Sequence, residues 1–154
     1  TNFGFQFPRE VAIVKEGIET PQKMPYFTVS NTLLTLAEQA VVNVDTIKMP
    51  SGKPIKVQIG GNGVTGSVFA DSAAYRIWLQ EVFNAQVTEM ESAAVGQVCF
   101  VNDVDWIVIR SVSDLAGAQK GQNDENVFSA IASGTGTKLL IALLDEIVKA
   151  KSKD

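Results

Sequence analysis

Segments with strand-like and helix-like patterns alternate along this 154-residue chain, and that alternation limits the folds open to it. Residues 55–59 alternate apolar and polar side chains, and residues 106–109 form an apolar run typical of a strand buried on both faces. Helical spacing of apolar residues begins after Ser30 or Asn31 and after Asp71, which are residue types that cap helices, and a run of small and apolar residues predicts a further helix from Ser92. This order predicts an α/β fold, in which helices cover a largely parallel or mixed sheet.

The composition excludes several classes of function. The net charge is -4 and the pI is about 4.8, so binding to nucleic acid through phosphate neutralisation is not expected. The chain has no histidine, which excludes Ser-His-Asp and Cys-His catalysis and His-based zinc sites within it. Cys99 is the one cysteine, so no intrachain disulfide can form. No window approaches the roughly 18 consecutive apolar residues of a membrane span.

Ligands of α/β proteins bind where strands end and helices begin, and the first such junction is rich in glycine. Residues 61–66 read Gly-Asn-Gly-Val-Thr-Gly, a literal G-x-G-x-x-G that could cradle a pyrophosphate, with Glu89 about where a ribose-binding acid would follow. The late helix start at Asp71 and the bulk of Phe69 oppose this interpretation. They favour a strand-end loop with permissive glycines.

The second junction follows a short strand predicted over residues 86–90. Glu89 and Glu91 flank Met90 there, which suits a grip on a sugar: one carboxylate accepts hydrogen bonds from two neighbouring hydroxyls while the thioether packs under the ring. The alternative is that both acids simply favour the positive end of the next helix. The motif alone leaves both interpretations open.

The third junction, residues 110–114, follows the buried strand and ends in Ser113 and Asp114. A carboxyl group at the mouth of a cleft can donate a proton to a reacting group. Serine and aspartate are also ordinary helix caps, and the residues alone favour that alternative.

The order of three motifs is more specific than any one of them. Residues 65–71 (TGSVFAD), 89–94 (EMESAA) and 110–114 (RSVSD) together resemble the purine nucleoside phosphorylase and methylthioadenosine nucleosidase family. The wording of residues 90–95 and 113–117 is most similar to the plant branch, which includes bark storage proteins. The resemblance extends from about residue 27 to about residue 148.

The resemblance implies a role for each matched residue. Asp114 is implied to be catalytic, donating a proton or a strong hydrogen bond to N7 of a 6-amino purine. Glu91 is implied to bind the 2′- and 3′-hydroxyls of ribose, and Phe69 to pack on the base. The residues implied to bind substrate are Phe69, Ala70, Glu89, Met90, Glu91 and Ser113.

The resemblance also implies the architecture. We expect a three-layer αβα sandwich with a mixed central sheet, in which residues 1–154 form a single domain that corresponds to the C-terminal portion of the family domain. The low charged fraction of 19% agrees with a surface buried against something else. The first strands of the family domain would then come from an N-terminal portion not included in this chain. The same portion would supply the groups that bind phosphate or activate water.

We therefore expect cleavage of an N-glycosidic bond, by phosphorolysis with phosphate as co-substrate or by hydrolysis, without a cofactor or metal. The expected partners are a purine nucleoside or base, the N-terminal portion of the domain and further copies of the chain, with no nucleic acid or membrane. The alternatives are a storage protein that keeps the fold and an unrelated binding module. An enzyme could be cytoplasmic, whereas a storage protein would be secretory or vacuolar.

Overall fold

The computed structural model describes most of the chain. The chain divides into two compact units. The described residues are 3–4, 7–44, 48, 52, 54–117 and 125–152, with only the backbone described over 125–130. The first unit draws on Thr1–Val29, Gly61–Trp106 and Ala116–Ala118, and the second on Ser30–Gly60, Ile107–Leu115 and Gln119–Asp154.

A parallel strand pair with a crossover helix forms the centre of the first unit. Strand β3 (Asn62–Thr65) leads into helix α2 (Ala73–Phe83), which returns the chain to strand β4 (Ala85–Glu89). The two strands pair in parallel, with Thr65 opposite Glu89. Such a connection places both strands in one orientation, so their carboxyl ends share one edge of the sheet.

The remaining elements of the first unit precede and follow this βαβ arrangement. Strands β1 (Val11–Ile13) and β2 (Gln22–Met24) pair antiparallel, and helix α3 (Ser92–Val101) follows β4 almost directly. Parallel and antiparallel pairs thus occur together with helices, which confirms the α/β class.

Local signals explain the limits of α2. Its cap is Ser72, whose hydroxyl accepts from the Tyr75 N–H at 3.3 Å, whereas the sequence pattern predicts Asp71. Asn84 ends the helix in the left-handed region, at φ 50°, a conformation that asparagine tolerates better than most residues.

Within α2, the rings of Tyr75 and Trp78 stack with their centroids 5.6 Å apart. The Trp78 Nε1 is buried without a hydrogen-bond partner among the described residues.

Helix α3 packs closely because Gly96 has no side chain. A Cβ at Gly96 would lie 2.6 Å from the Trp106 ring and 2.9 Å from Phe27. Trp106 is itself fixed by a hydrogen bond from its Nε1 to the Thr28 carbonyl, at 3.0 Å. A larger residue at position 96 would therefore push α3 away from this indole.

The second unit is built on two helices, α1 (Asn31–Asn43) and α4 (Glu125–Lys151). Its fully buried core consists of Ala37 and Ala40 from α1 and Leu143 from α4. Small residues on α1 let the two helices approach, so that the leucine fills the space between them. At one end, the Asn43 amide donates to Glu146 Oε1 at 3.2 Å.

Two predicted strands are wrong as strands, although several of their apolar side chains are half-buried. Residues 55–59 and 106–109 pair with no neighbour among the described residues. Three of their four isoleucines nevertheless pack on the core of the second unit: Ile59, Ile107 and Ile109. Apolar periodicity reports which side chains are buried, but a ladder also requires a neighbouring strand.

Across the described residues, no helix combines the length and the apolar character needed to cross a membrane.

Candidate functional site

Two segments that carry predicted substrate-binding residues leave the same sheet edge in the first unit. The loop that follows β3 carries Phe69 and Ala70, and the turn that follows β4 carries Met90 and Glu91. The Gly66 N–H donates to the Glu89 carbonyl at 2.9 Å, which extends the strand pairing into the junction. The parallel pairing therefore starts both segments from one place, where α/β folds bind ligands.

The Glu89 carboxylate is held from several sides. Its Oε2 accepts from the Glu91 N–H at 2.9 Å, from the Ser92 N–H at 2.8 Å and from the Ser92 hydroxyl at 2.7 Å. Its Oε1 accepts from the hydroxyl of Thr65, directly opposite on β3. These donors include the first backbone N–H groups of α3, which have no partners within the helix. Glu89 thus acts as the cap of α3.

Burial raises the pKa of the Glu89 carboxyl, but the hydrogen bonds just described outweigh it and lower that pKa to about 2. The ionised form accepts all of these hydrogen bonds, whereas a protonated oxygen would have to give one up. Glu89 is therefore a carboxylate at neutral pH and not a proton donor. Sequence reasoning assigned it to substrate binding on the strength of the motif alone.

Thr65 is a residue of the site whose role sequence reasoning missed. Its hydroxyl donates to Glu89 and accepts from the Ala93 N–H at 2.9 Å, so it joins β3 to the start of α3. The sequence does show a residue with a hydroxyl group next to the last glycine of the glycine-rich segment, but that alone does not identify a hydrogen-bond partner. Its partner lies 24 residues further along the chain, beyond the reach of local patterns.

The side chains expected to touch a ligand are accessible. Phe69 is 76% exposed and Met90 is 41% exposed, while Glu91 is exposed at the N-cap position of α3. Ala70 is half-buried. An aromatic ring, a thioether and a carboxylate suit a ligand with one apolar ring and one hydroxylated ring.

The third junction lies in the second unit. Asp114 is exposed, and its Oδ2 accepts from the Ser113 hydroxyl at 2.8 Å. No helix begins within residues 110–117, all of which are described, so the interpretation of Asp114 as a helix cap is wrong. An accessible carboxyl with an oriented neighbour can act as an acid or as a hydrogen-bond partner.

A second polar arrangement in the first unit holds one peptide group. Asp71 Oδ1 accepts from the Gly117 N–H at 2.8 Å, and the Arg76 guanidinium donates to the Ala116 carbonyl. These two backbone groups belong to the same peptide bond. Asp71, just before α2, therefore binds its N–H, and Arg76, within α2, binds its carbonyl. Gly117 has φ +69°, and a Cβ there would lie 2.1 Å from the Ala73 nitrogen.

Both interpretations of residues 61–66, the dinucleotide loop and the favoured strand-end loop, are wrong. Most of that segment forms β3, and Gly63 pairs with Val87 of β4. A pyrophosphate loop needs its glycines in the turn between strand and helix, but α2 begins only at Ala73. A Cβ at Gly63 would lie 3.4 Å from the Val87 side chain, so this glycine sits in ordinary sheet contact.

A metal centre has no obvious place in the described part of the chain, where no group of three or more His, Cys, Asp or Glu residues could hold an ion.

Comparison with known proteins supports the family that the three motifs together resemble. The family model of the Phosphorylase superfamily matches residues 2–146. The chain is 30% identical over 149 residues to the 5'-methylthioadenosine/S-adenosylhomocysteine nucleosidase of Halalkalibacterium halodurans, a match that covers 96% of this chain and 55% of that protein.

Two further relatives carry the same name. The Pseudoalteromonas translucida protein is 27% identical over 130 residues, which are 84% of this chain and 51% of the relative. The Mycobacterium bovis protein is 33% identical over 101 residues, which are 59% of this chain and 39% of the relative. The chain thus spans about half the length of the curated relatives it matches. Because the family model covers nearly all of its residues, the chain belongs to the Phosphorylase superfamily.

Proposed function

We propose that the full-length protein cleaves the N-glycosidic bond of a purine nucleoside. The observation that carries the proposal is the Met90–Glu91 turn, which starts at the carboxyl end of β4 and presents an accessible thioether and carboxylate. The names of the relatives support the same reaction class, since each is a nucleosidase that acts on 5'-methylthioadenosine and S-adenosylhomocysteine.

Glu91 binds the ribose in this proposal. Its carboxylate accepts hydrogen bonds from the 2′- and 3′-hydroxyls, and Met90 packs under the sugar ring. Cleavage of the glycosidic bond develops positive charge on the sugar, so a nearby carboxylate stabilises the transition state more than the bound substrate. Interactions that strengthen in the transition state raise kcat.

Asp114 acts on the base. The leaving purine gains negative charge as the bond breaks, and a proton or strong hydrogen bond at N7 neutralises it. The hydrogen bond from Ser113 to Oδ2 orients the carboxyl, so that Oδ1 can carry the transferred proton. Phe69 stacks on the purine, Ala70 offers backbone groups to its edge, and the carboxyl can also accept from a 6-amino group.

The attacking group is either water or phosphate, and no cofactor or metal is part of the proposal. In the family that this chain resembles, the residues that activate water or bind phosphate precede the segment matched here. The substrate class is a 6-amino purine nucleoside, with 5'-methylthioadenosine as the first candidate because the relatives are named for it.

The test is adenine release from 5'-methylthioadenosine and from adenosine by the full-length protein, with and without phosphate. We expect adenine release, and dependence on phosphate would separate phosphorolysis from hydrolysis. Asp114→Asn is the matched control, because it conserves volume and removes the acidic proton. A folded protein that binds no nucleoside and releases no adenine would contradict the proposal and favour the storage alternative.

A further inference from the structure

Resting on the proposed function, we infer that Glu89 and Thr65 are positioning residues, which hold the Met90–Glu91 turn in the shape that binds ribose. This inference replaces direct substrate contact as the role of Glu89. Three observations support the inference: the hydrogen-bond partners of the Glu89 carboxylate, the contact of that carboxylate with Thr65 on β3, and the number of donors that the carboxylate already accepts from.

The backbone around Glu91 is held on both sides by one oxygen. Glu89 Oε2 accepts from the N–H of Glu91 itself and from the N–H of Ser92, at 2.9 and 2.8 Å. These two nitrogens flank the Glu91 Cα, so both of its backbone dihedral angles are restrained. The direction in which the Glu91 side chain leaves the backbone is thereby set by the Glu89 carboxylate.

Thr65 prevents this carboxylate from turning. Its hydroxyl donates to Glu89 Oε1 from the neighbouring strand and accepts from the Ala93 N–H at 2.9 Å. Three successive backbone N–H groups, from Glu91 to Ala93, are therefore bound by the pair. A hydroxyl with both a donor and an acceptor partner has one preferred orientation, which makes the arrangement stiffer than a single cap.

The acceptor capacity of Glu89 is already committed. A carboxylate has about four lone-pair sites, and at least four donors reach this one: three at Oε2 and one at Oε1. Glu89 is also half-buried, whereas Glu91 is exposed. Ribose hydroxyls that approach Oε2 would have to compete with its three donors, whereas the Glu91 carboxylate lies at the surface.

The experiment compares four variants of the full-length protein. Glu89→Gln removes the charge, Thr65→Val removes the hydroxyl, and Thr65→Ser keeps it. Ser30→Ala removes the cap of α1, whose hydroxyl accepts from the Leu33 N–H, and so controls for loss of a helix cap in general. The readouts are kcat and KM for 5'-methylthioadenosine and the affinity for adenine, which lacks the sugar.

We expect Glu89→Gln and Thr65→Val each to lower kcat/KM for 5'-methylthioadenosine by about 10- to 100-fold, through both kcat and KM, since small misplacement of a group that binds the ribose and its transition state has effects of that size. Adenine affinity should not change, because the base does not contact this turn. Thr65→Ser and Ser30→Ala should keep the wild-type KM. The double variant of Glu89 and Thr65 should be no worse than the more severe single variant, because both act through one network.

Several outcomes would overturn the inference. They are an unchanged kcat/KM for the nucleoside in Glu89→Gln, loss of activity in Thr65→Ser equal to that in Thr65→Val, and additive losses in the double variant, which direct substrate contact predicts. If Glu89→Gln does not fold, the comparison of valine with serine at position 65 decides alone. A wild-type protein that neither binds nor cleaves nucleosides would instead remove the proposed function, and the inference with it.

Discussion

Asp114 carries the chemical step of the proposed reaction, and its replacement tests that role most directly. Asp114→Asn conserves the volume and can still accept from the Ser113 hydroxyl, but it lacks the acidic proton. We expect kcat for 5'-methylthioadenosine to fall by about 10²–10⁴-fold, the usual contribution of a general acid. Near-wild-type turnover by this variant would show that the base leaves without help from Asp114. Thermal unfolding should be nearly unchanged.

Glu89 gives a second prediction at this scale, for stability as a function of pH. The pKa of its carboxyl is lowered from 4.5 to about 2 in the folded protein, so the folded state binds protons more weakly than the unfolded state. The stabilisation is complete above about pH 4.5 and is lost as the pH falls toward 2.

Chemical denaturation between pH 6 and 2.5 measures this effect on the free energy of unfolding. Glu89→Gln should be less stable than wild type at pH 6, and the two curves should converge as the pH falls. Parallel curves over the whole range would show that Glu89 does not gain its low pKa from folding.

At the scale of elements, two glycines should respond in opposite ways to alanine. Gly117 has φ +69°, and a Cβ there would meet the Ala73 nitrogen at 2.1 Å. Backbone strain of this kind costs about 1–3 kcal/mol, and the steric overlap adds to it. Gly134 lies in α4, where an added Cβ would have no atom within 4 Å, so Gly134→Ala should stabilise the helix by about 0.5–1 kcal/mol.

Thermal unfolding of the two variants checks this prediction. A lower melting temperature for Gly117→Ala, with a higher one for Gly134→Ala, is the expected pair of results. If both variants lost stability, the exposure of position 134 on α4 would not hold in solution.

The elements also show which features were readable from the sequence. Local patterns predicted α1, α2, α3 and the strand that contains Glu89, because those signals depend on neighbours within a few residues. These patterns could not identify β3, because its partner β4 lies beyond a crossover helix. They also could not show that residues 55–59 pair with no other strand among the described residues. Thr65 and Asp71 found their partners 24 and 46 residues away, and no local pattern reports such distances.

At the scale of the whole molecule, apolar exposure predicts association. Large apolar side chains are exposed on each of the four helices that the described residues form, at Val42, Ile77, Val98 and Ile141 among others. The charged fraction is only 19%, so charge repulsion opposes contact weakly. We expect the 154-residue chain to form assemblies heavier than its 16.6 kDa in solution, as measured by light scattering after size-exclusion chromatography. A monodisperse 16.6 kDa species would contradict this expectation.

The grip of Asp71 and Arg76 on the Ala116–Gly117 peptide has a consequence for hydrogen exchange. Amide protons in short exposed turns usually exchange with water quickly, because little has to open. The Gly117 amide proton points at a carboxylate instead, and the carbonyl of the same peptide is held by a guanidinium. Exchange at this one amide requires its hydrogen bond to Asp71 to open, and the Arg76 hydrogen bond to the other end of the peptide resists that movement. Exchange should therefore be slow in wild type and faster in Asp71→Asn or Arg76→Gln. The exchange rate of the Gly117 amide thus reports how often this turn opens.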